Sequence, residues 1–157
     1  MDWDVVACVL GEDVANLSMQ SCHLDGYRVA RLPHEDYPML VEHPHTSAPG
    51  QLLQGLTAKQ LDRVIFYEGE EYEISPCEVR LASGAMAKAL FFSEGIMPEP
   101  QMTDWCFETW RAQHKAYLLR QSAAYMAWYG KLPAAEADYY WQTYTEDETL
   151  VTLKAAG

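Results

Sequence analysis

At 157 residues the chain is long enough for one domain with a substantial core, and a hydrophobic content of 49% places most of it outside the disordered class. Eleven Lys and Arg stand against 23 Asp and Glu, a formal charge of -12, which argues against nonspecific binding to nucleic acid or to anionic membranes. The sequence has no run apolar and long enough for a membrane helix and no basic flank of a signal peptide, so a soluble, cytoplasmic protein is the expectation.

Asp2 and Asp4 are placed to cap a short helix through Val5, Val6, Val9 and Leu10, with Gly11 ending it. Val14–Leu24 shows partial alternation and reads as a strand, and Gly26 separates it from a second, Tyr27–Leu32. Asp36-Tyr37-Pro38 interrupts the pattern before Met39-Leu40-Val41. Pro44 and Pro49 then bracket an expected surface loop, and Gln51–Leu56 returns as a short strand.

The segment Leu56–Tyr72 carries the clearest helix signals. Thr57 caps, Gln60 completes a capping box, Leu56 and Leu61 form a staple, and Gly69 ends the helix. Periodicity predicts that Leu61, Val64, Ile65 and Glu68 face inward. Tyr72-Glu73-Ile74 and Val79-Arg80-Leu81 then read as extended on either side of Pro76. Ser83-Gly84 turns the chain into a hairpin partner, Ala85–Phe92.

Gly95, Pro98 and Pro100 mark a boundary between a core, residues 1–95, and a helical C-terminal extension packed on it, residues 96–157. Thr103 is the expected cap of a long helix presenting Trp105, Thr109, Ala112, Ala116, Leu119, Ala123 and Met126 on one face, limited by Gly130 and Pro133. Ala134–Tyr144 is compatible with a further helix or an irregular arm, and Thr149–Leu153 with an edge strand or a docked tail. The C-terminal aromatics read first as packing. Exposed, they would serve a protein partner or a homo-oligomer. The fold class is therefore α+β, a compact, largely antiparallel sheet with packed helices.

Cys8, Cys22, Cys77 and Cys106 are widely spaced without a CxxC pair, which favours reduced, mainly packing cysteines. His43-Pro44-His45 has no nearby cysteine to complete a zinc pattern and reads as a surface or packing feature. Glu70, Glu71 and Glu73 form an acidic run best read as solvated surface. GxSxG and dinucleotide-binding fingerprints are absent from the sequence. No cofactor and no metal are expected.

Glu68 is the sharpest candidate for chemistry. A carboxylate on an apolar face at a helix exit needs a partner or a reason, because burying its charge is costly. The simpler reading is a helix-end acid satisfied by an arginine or by backbone donors. The sharper one is a desolvated carboxyl with a raised pKa suited to proton transfer, within reach of Tyr67 or Tyr72.

Several stretches then resemble one family in order. They are Gly26-Tyr27-Arg28, Tyr37-Pro38-Met39-Leu40-Val41, Gly50–Leu56 and, most strongly, Leu61-Asp62-Arg63-Val64-Ile65-Phe66-Tyr67-Glu68-Gly69-Glu70-Glu71-Tyr72. Val79-Arg80-Leu81 and Ala87–Phe92 follow. The sequence resembles the gamma-glutamylcyclotransferase-like family, especially its AIG2-like bacterial branch, most clearly over Val14–Phe92.

The resemblance implies a β-barrel core, a transferase or lyase activity without cofactor, and Glu68 as general acid/base. It also implies contacts to substrate from Tyr37, Tyr67 and Tyr72. The implied reaction turns the α-amine of a small gamma-glutamyl amine or amino-acid derivative onto its own γ-carbonyl, releasing 5-oxoproline and the free amine. Backbone amides would stabilise the oxyanion.

The family's YGTL-like or YGSL-like loop has no counterpart here. Val9-Leu10-Gly11 is followed by Glu12-Asp13, and the segment Ala7–Ala15 matches the region after that loop. The expectation is a chain that lacks the family's first strand, with one barrel edge open. The family arginine after the tyrosine of the EGxxY region is also absent, since Glu73, Ile74 and Ser75 follow Tyr72. The alternatives are an inactive interaction or structural protein on the same scaffold, or a related hydrolase or small-molecule binding module.

Overall fold

The computed structural model describes residues 2–11, 14–31, 37–94 and 103–145. Helix α1, Trp3–Leu10, begins as its sequence dictates: the Asp2 carboxylate accepts the Asp4 N–H at 3.0 Å and Gly11, at φ 81, receives the chain at the other end. Lys115 from a distant helix places Nζ 2.8 Å from Asp2 and 2.6 Å from Asp4, so the cap also ties α1 to that helix.

Strand β1, Ser18–Arg31, runs through Gly26 without ending. The two strands expected on either side of that glycine are one, and the register against its neighbour shifts between Asp25 and Tyr27. Gly26 has φ 82, so it makes a bulge and not a boundary. The partner is β2, Pro38–Gln54, also unbroken. The loop expected between Pro44 and Pro49 is therefore part of this strand. Both prolines are tolerated because β2 is an edge strand, and His43–Thr46 bulge out opposite Gly26, with His45 at φ 69.

Helix α2, Ala58–Glu68, carries the full capping box: Gln60 N–H to Thr57 Oγ1 at 3.2 Å and Thr57 N–H to Gln60 Oε1 at 2.9 Å. Gly69, at φ 80, ends it with its N–H on the Ile65 carbonyl. Strands β3, Tyr72–Leu81, and β4, Met86–Glu94, form the expected hairpin, closed by Gly84 at φ 84. Leu81 N–H bonds to the Ala85 carbonyl, and Pro76 sits five residues back along a ladder without a register shift. Strand alternation therefore turns the position that lacks an N–H away from β4.

The sheet has the order β2-β1-β3-β4, and every pairing is antiparallel. The expected barrel does not close among the described residues. β1 meets β3 only at Cys22↔Leu81 and His23↔Arg80, so the β1–β2 ribbon and the β3–β4 hairpin splay apart beyond that junction. An exposed ion pair, Arg80 to Asp25 at 2.7 Å, and the edge-on rings of Tyr27 and Phe91 span the divergence.

The C-terminal helix is two: α3, Phe107–Gln113, and α4, Lys115–Met126, separated at His114, followed by α5, Ala134–Gln142. Thr103 does not cap α3. Its carbonyl accepts the Arg31 N–H, Asp104 bridges Ala30, and Cys106 holds the cap position without a side-chain bond. The predicted face holds only in part: Met126 is buried and Trp105 and Leu119 are half-buried, but Thr109, Ala112, Ala116 and Ala123 are exposed, and Trp110, Ser122 and Tyr125, which lie off that face, are buried. The expected Gly95–Pro100 boundary and the Thr149–Leu153 segment lie outside the described residues.

The main core joins the helices: Val6, Val9 and Leu10 of α1, Phe66 of α2, Tyr125 and Met126 of α4, and Ala137 of α5. All four cysteines are free, and Cys106 is exposed, so packing accounts for only the other three.

Gly55 joins β2 to α2 at φ 91, where a Cβ would stand 2.7 Å from the Asn16 carbonyl oxygen. Gly55→Ala is expected to cost about 1–3 kcal/mol from backbone strain, with the clash added to it. Gly84→Ala, at a similar φ with open space around it, is expected to cost about 1 kcal/mol. Urea unfolding of the two variants checks this ordering, and equal losses would remove the close approach to Asn16 as its cause.

Candidate functional site

Glu68 is the last residue of α2. Gly69 and the short turn at Glu70-Glu71 lead directly into Tyr72, the first residue of β3. The helix-to-strand junction thus sets Glu68 and Tyr72 beside an open cleft of about 1990 Å³ between the splayed sheet and the helices. Tyr37, Tyr67, Glu68 and Tyr72, the four residues singled out from the sequence, all lie on its wall.

Their environments differ. Burial pushes the Glu68 carboxyl up to about 7. Its position at a helix C-terminus, where the backbone carbonyls gather negative potential, acts in the same direction. Among the described residues no cation or hydrogen-bond donor pairs with it. Arg63, on the same helix, is spent elsewhere: Nε donates to the Val9 carbonyl at 2.7 Å and the guanidinium lies 4.7 Å from the centre of the Tyr129 ring. The helix-end acid satisfied by an arginine, the simpler expectation, is not what this geometry shows.

Tyr67 is held by the helical core. Its hydroxyl is 2.9 Å from Oγ of Ser122, which is fully buried, and its ring meets Tyr125 and Trp141 edge-on. Burial pushes its phenol up to about 12, helped by the neighbouring Glu68 charge. With its hydroxyl engaged, Tyr67 supports the wall behind Glu68. Tyr37 and Tyr72 are half-buried on the cleft.

Glu70, Glu71 and Glu73 are exposed, consistent with solvated charge. Among the described residues no cluster of His, Cys, Asp and Glu has the arrangement of a metal site. His43 keeps one buried nitrogen, Nδ1, without a hydrogen-bond partner in the β2 bulge. None of the described helices is long and apolar enough to cross a membrane.

Sequence reasoning did not assign Trp105, Phe107 and Trp110 to this site, yet all three line the cleft. Of the three only Trp105 has a place in the sequence reading, as part of a helix face, because nothing local reveals that α3 starts only at Phe107 and that the Ala30–Asp104 bridge carries Trp105 to the sheet. Elsewhere in the C-terminal segment Tyr139, Tyr140 and Tyr117 are exposed, while Tyr125 is buried.

The chain is 27% identical to Protein AIG2 A of Arabidopsis thaliana over 136 residues, covering 83% of this chain and 78% of that protein. It is 28% identical to Protein AIG2 B of the same plant over 112 residues, 70% and 66% of the two chains. Two solution structures of Arabidopsis thaliana proteins share the fold. One has a TM-score of 0.58 at 22% identity, over 83% of this chain and 79% of the other. The second has 0.57 at 24%, over 84% and 87%. Residues 4–111, well over half of the chain and the part that contains Glu68 and the cleft strands, match the family described as gamma-glutamyl cyclotransferase, AIG2-like, and the chain belongs to that family.

Proposed function

We propose that the protein is a cyclotransferase that converts a small gamma-glutamyl amide to 5-oxoproline and a free amine, with Glu68 as its general acid/base. The observation that supports this reading is a desolvated carboxyl, unpaired among the described residues and pushed up to about 7 by burial, on the wall of a large cleft. Such a group holds both protonation states at working pH, which one residue needs if it is to take and return a proton within a single turnover.

In the proposed step the substrate's α-amine nitrogen bonds to its γ-carbonyl carbon. Glu68 accepts the proton that the amine loses. The bond from that carbon to the amide nitrogen then breaks, and Glu68 returns the proton to the departing nitrogen. Five-membered 5-oxoproline remains, the amine leaves, and no water is consumed. Tyr37 and Tyr72 supply cleft wall for substrate contact, and Tyr67 stiffens the wall behind the carboxyl through Ser122.

Incubating the full chain with a panel of gamma-glutamyl amides and following products by mass spectrometry tests this. The expected result is 5-oxoproline with stoichiometric free amine. Release of glutamate instead would identify a hydrolase, and absence of turnover across the panel would count against catalysis.

A further inference from the structure

We infer that two copies of this chain pair antiparallel through the free edge of β4, about a two-fold axis at Phe91, so that one sheet runs unbroken across a homodimer.

The two edges of the sheet are built differently. β2 carries Pro44 and Pro49 and bulges at His43–Thr46, features that keep a further strand from pairing with it. β4 has no proline and keeps one register along its whole length, and no described strand lies on its outer side. Because Leu81 N–H bonds to the Ala85 carbonyl, the odd-numbered positions of β4 are the ones that hydrogen-bond to β3. Lys88, Leu90 and Phe92 therefore turn their backbone N–H and C=O groups to the free edge.

The side chains beside those groups are apolar and uncovered. Ile74↔Phe92 and Pro76↔Leu90 are cross-strand pairs on one face of the hairpin. Leu90 is 58% exposed and Met86, on the same face, 54%, and Ile74 and Pro76 are exposed as well. A straight strand with free backbone groups and exposed apolar side chains is a template for a further strand.

Charge selects which strand. The chain carries -12 in all, yet Val79–Ser93 holds no Asp or Glu, so two copies meet there without the repulsion that the acidic surface imposes elsewhere. A lysine on an edge ordinarily deters pairing. Antiparallel pairing centred on Phe91 sets Leu90 opposite Phe92 of the second copy, and Lys88 opposite position 94, a glutamate in the sequence. Even positions then face even positions, so the free N–H and C=O groups meet. The two-fold axis repeats each pair, with unlike charges at both ends and apolar side chains between them. A foreign strand has to match this order of charge, whereas a second copy matches it by symmetry.

Sedimentation of the full chain at rising concentration tests this, with thermal melts to confirm that each variant folds. The wild type is expected to reach the mass of two chains. Glu94→Lys (E94K) is expected to raise the dimer Kd at least about tenfold, and adding Lys88→Glu to it is expected to restore the Kd to within about threefold, because the pair is then exchanged and not lost. Leu90→Pro (L90P) removes an N–H from the free edge and none from the β3–β4 ladder, so a folded monomer is expected. Should L90P fail to fold, the charge exchange decides by itself. A double variant that does not regain association ends the inference, as does a wild type that stays monomeric at every concentration. Protection of the β4 amides from hydrogen exchange in such a monomer would show that another segment of the same chain covers the edge. A dimer that survives E94K and L90P, and is lost when Tyr139 and Tyr140 are both changed to Ala, would place the contact on the exposed rings of α5 instead.

Discussion

Glu68→Gln (E68Q) is expected to stabilise the protein at pH 8 while abolishing its proposed turnover. In the unfolded chain this carboxyl titrates near 4.5, whereas burial holds it at about 7 in the fold. Between those values the native state binds more protons than the unfolded state, so stability falls as pH rises from about 4.5 to about 7. The full penalty persists at higher pH, on the order of 3 kcal/mol for a shift of this size. Glutamine is uncharged and escapes it. For a chain of this length each kcal/mol moves Tm by about 2–4 °C. Thermal melts of E68Q should therefore lie several degrees above wild type at pH 8 and converge with it near pH 4. Equal melts at pH 8 would mean that the carboxylate is solvated.

The activity arm is independent of the stability arm. Loss of a positioned acid/base group is expected to lower the rate of 5-oxoproline release about 10²–10⁴-fold, and the wild-type rate is expected to change through a limb near pH 7. A Gln variant that melts higher yet turns over normally would leave Glu68 a buried acid without a catalytic task.

Phe66→Ala is expected to be the most damaging truncation on α2, at about 3–5 kcal/mol. Phe66 is buried in the helical core, tilted against Tyr125 at 5.0 Å and edge-on to Tyr129 at 5.5 Å, and the Tyr125 hydroxyl donates to its carbonyl at 2.9 Å. That loss is comparable to a large share of the roughly 5–15 kcal/mol by which a domain is stable. Ile65→Ala, one residue earlier on an exposed side chain, is expected to cost about 1 kcal/mol or less. Urea midpoints of the pair fix which face of α2 is the inner one. Comparable losses would contradict the orientation described.

The Phe66–Ile65 comparison marks where sequence reasoning reached its limit. Periodicity placed Leu61, Val64 and Ile65 inward with Glu68. Leu61, Val64 and Glu68 do line the cleft, but α2 has apolar residues on two sides, and its other face carries Phe66 into the helical core. A single 3.6-residue stripe cannot represent a helix that lines a cleft on one side and packs on other helices on another. The same limit applies to the C-terminal segment. There the break at His114 resets the helical phase, and alanine-rich positions gave the pattern no means of telling buried from exposed.

Local chemistry alone determined the caps of α1 and α2, the glycine exits at Gly11 and Gly69, the Ser83-Gly84 hairpin, and Glu68 as a carboxyl on an apolar helix face, because each depends on a few adjacent residues and on backbone geometry. Tertiary structure decided what those parts enclose. Only two ladder pairings, Cys22↔Leu81 and His23↔Arg80, join β1 to β3, which leaves the sheet open among the described residues. Arg63 is drawn to α1 and away from Glu68, and the Ala30–Asp104 bridge brings Trp105 to the cleft. These contacts join residues far apart in the chain, and their energies depend on burial and low local polarity, which no run of neighbouring residues specifies.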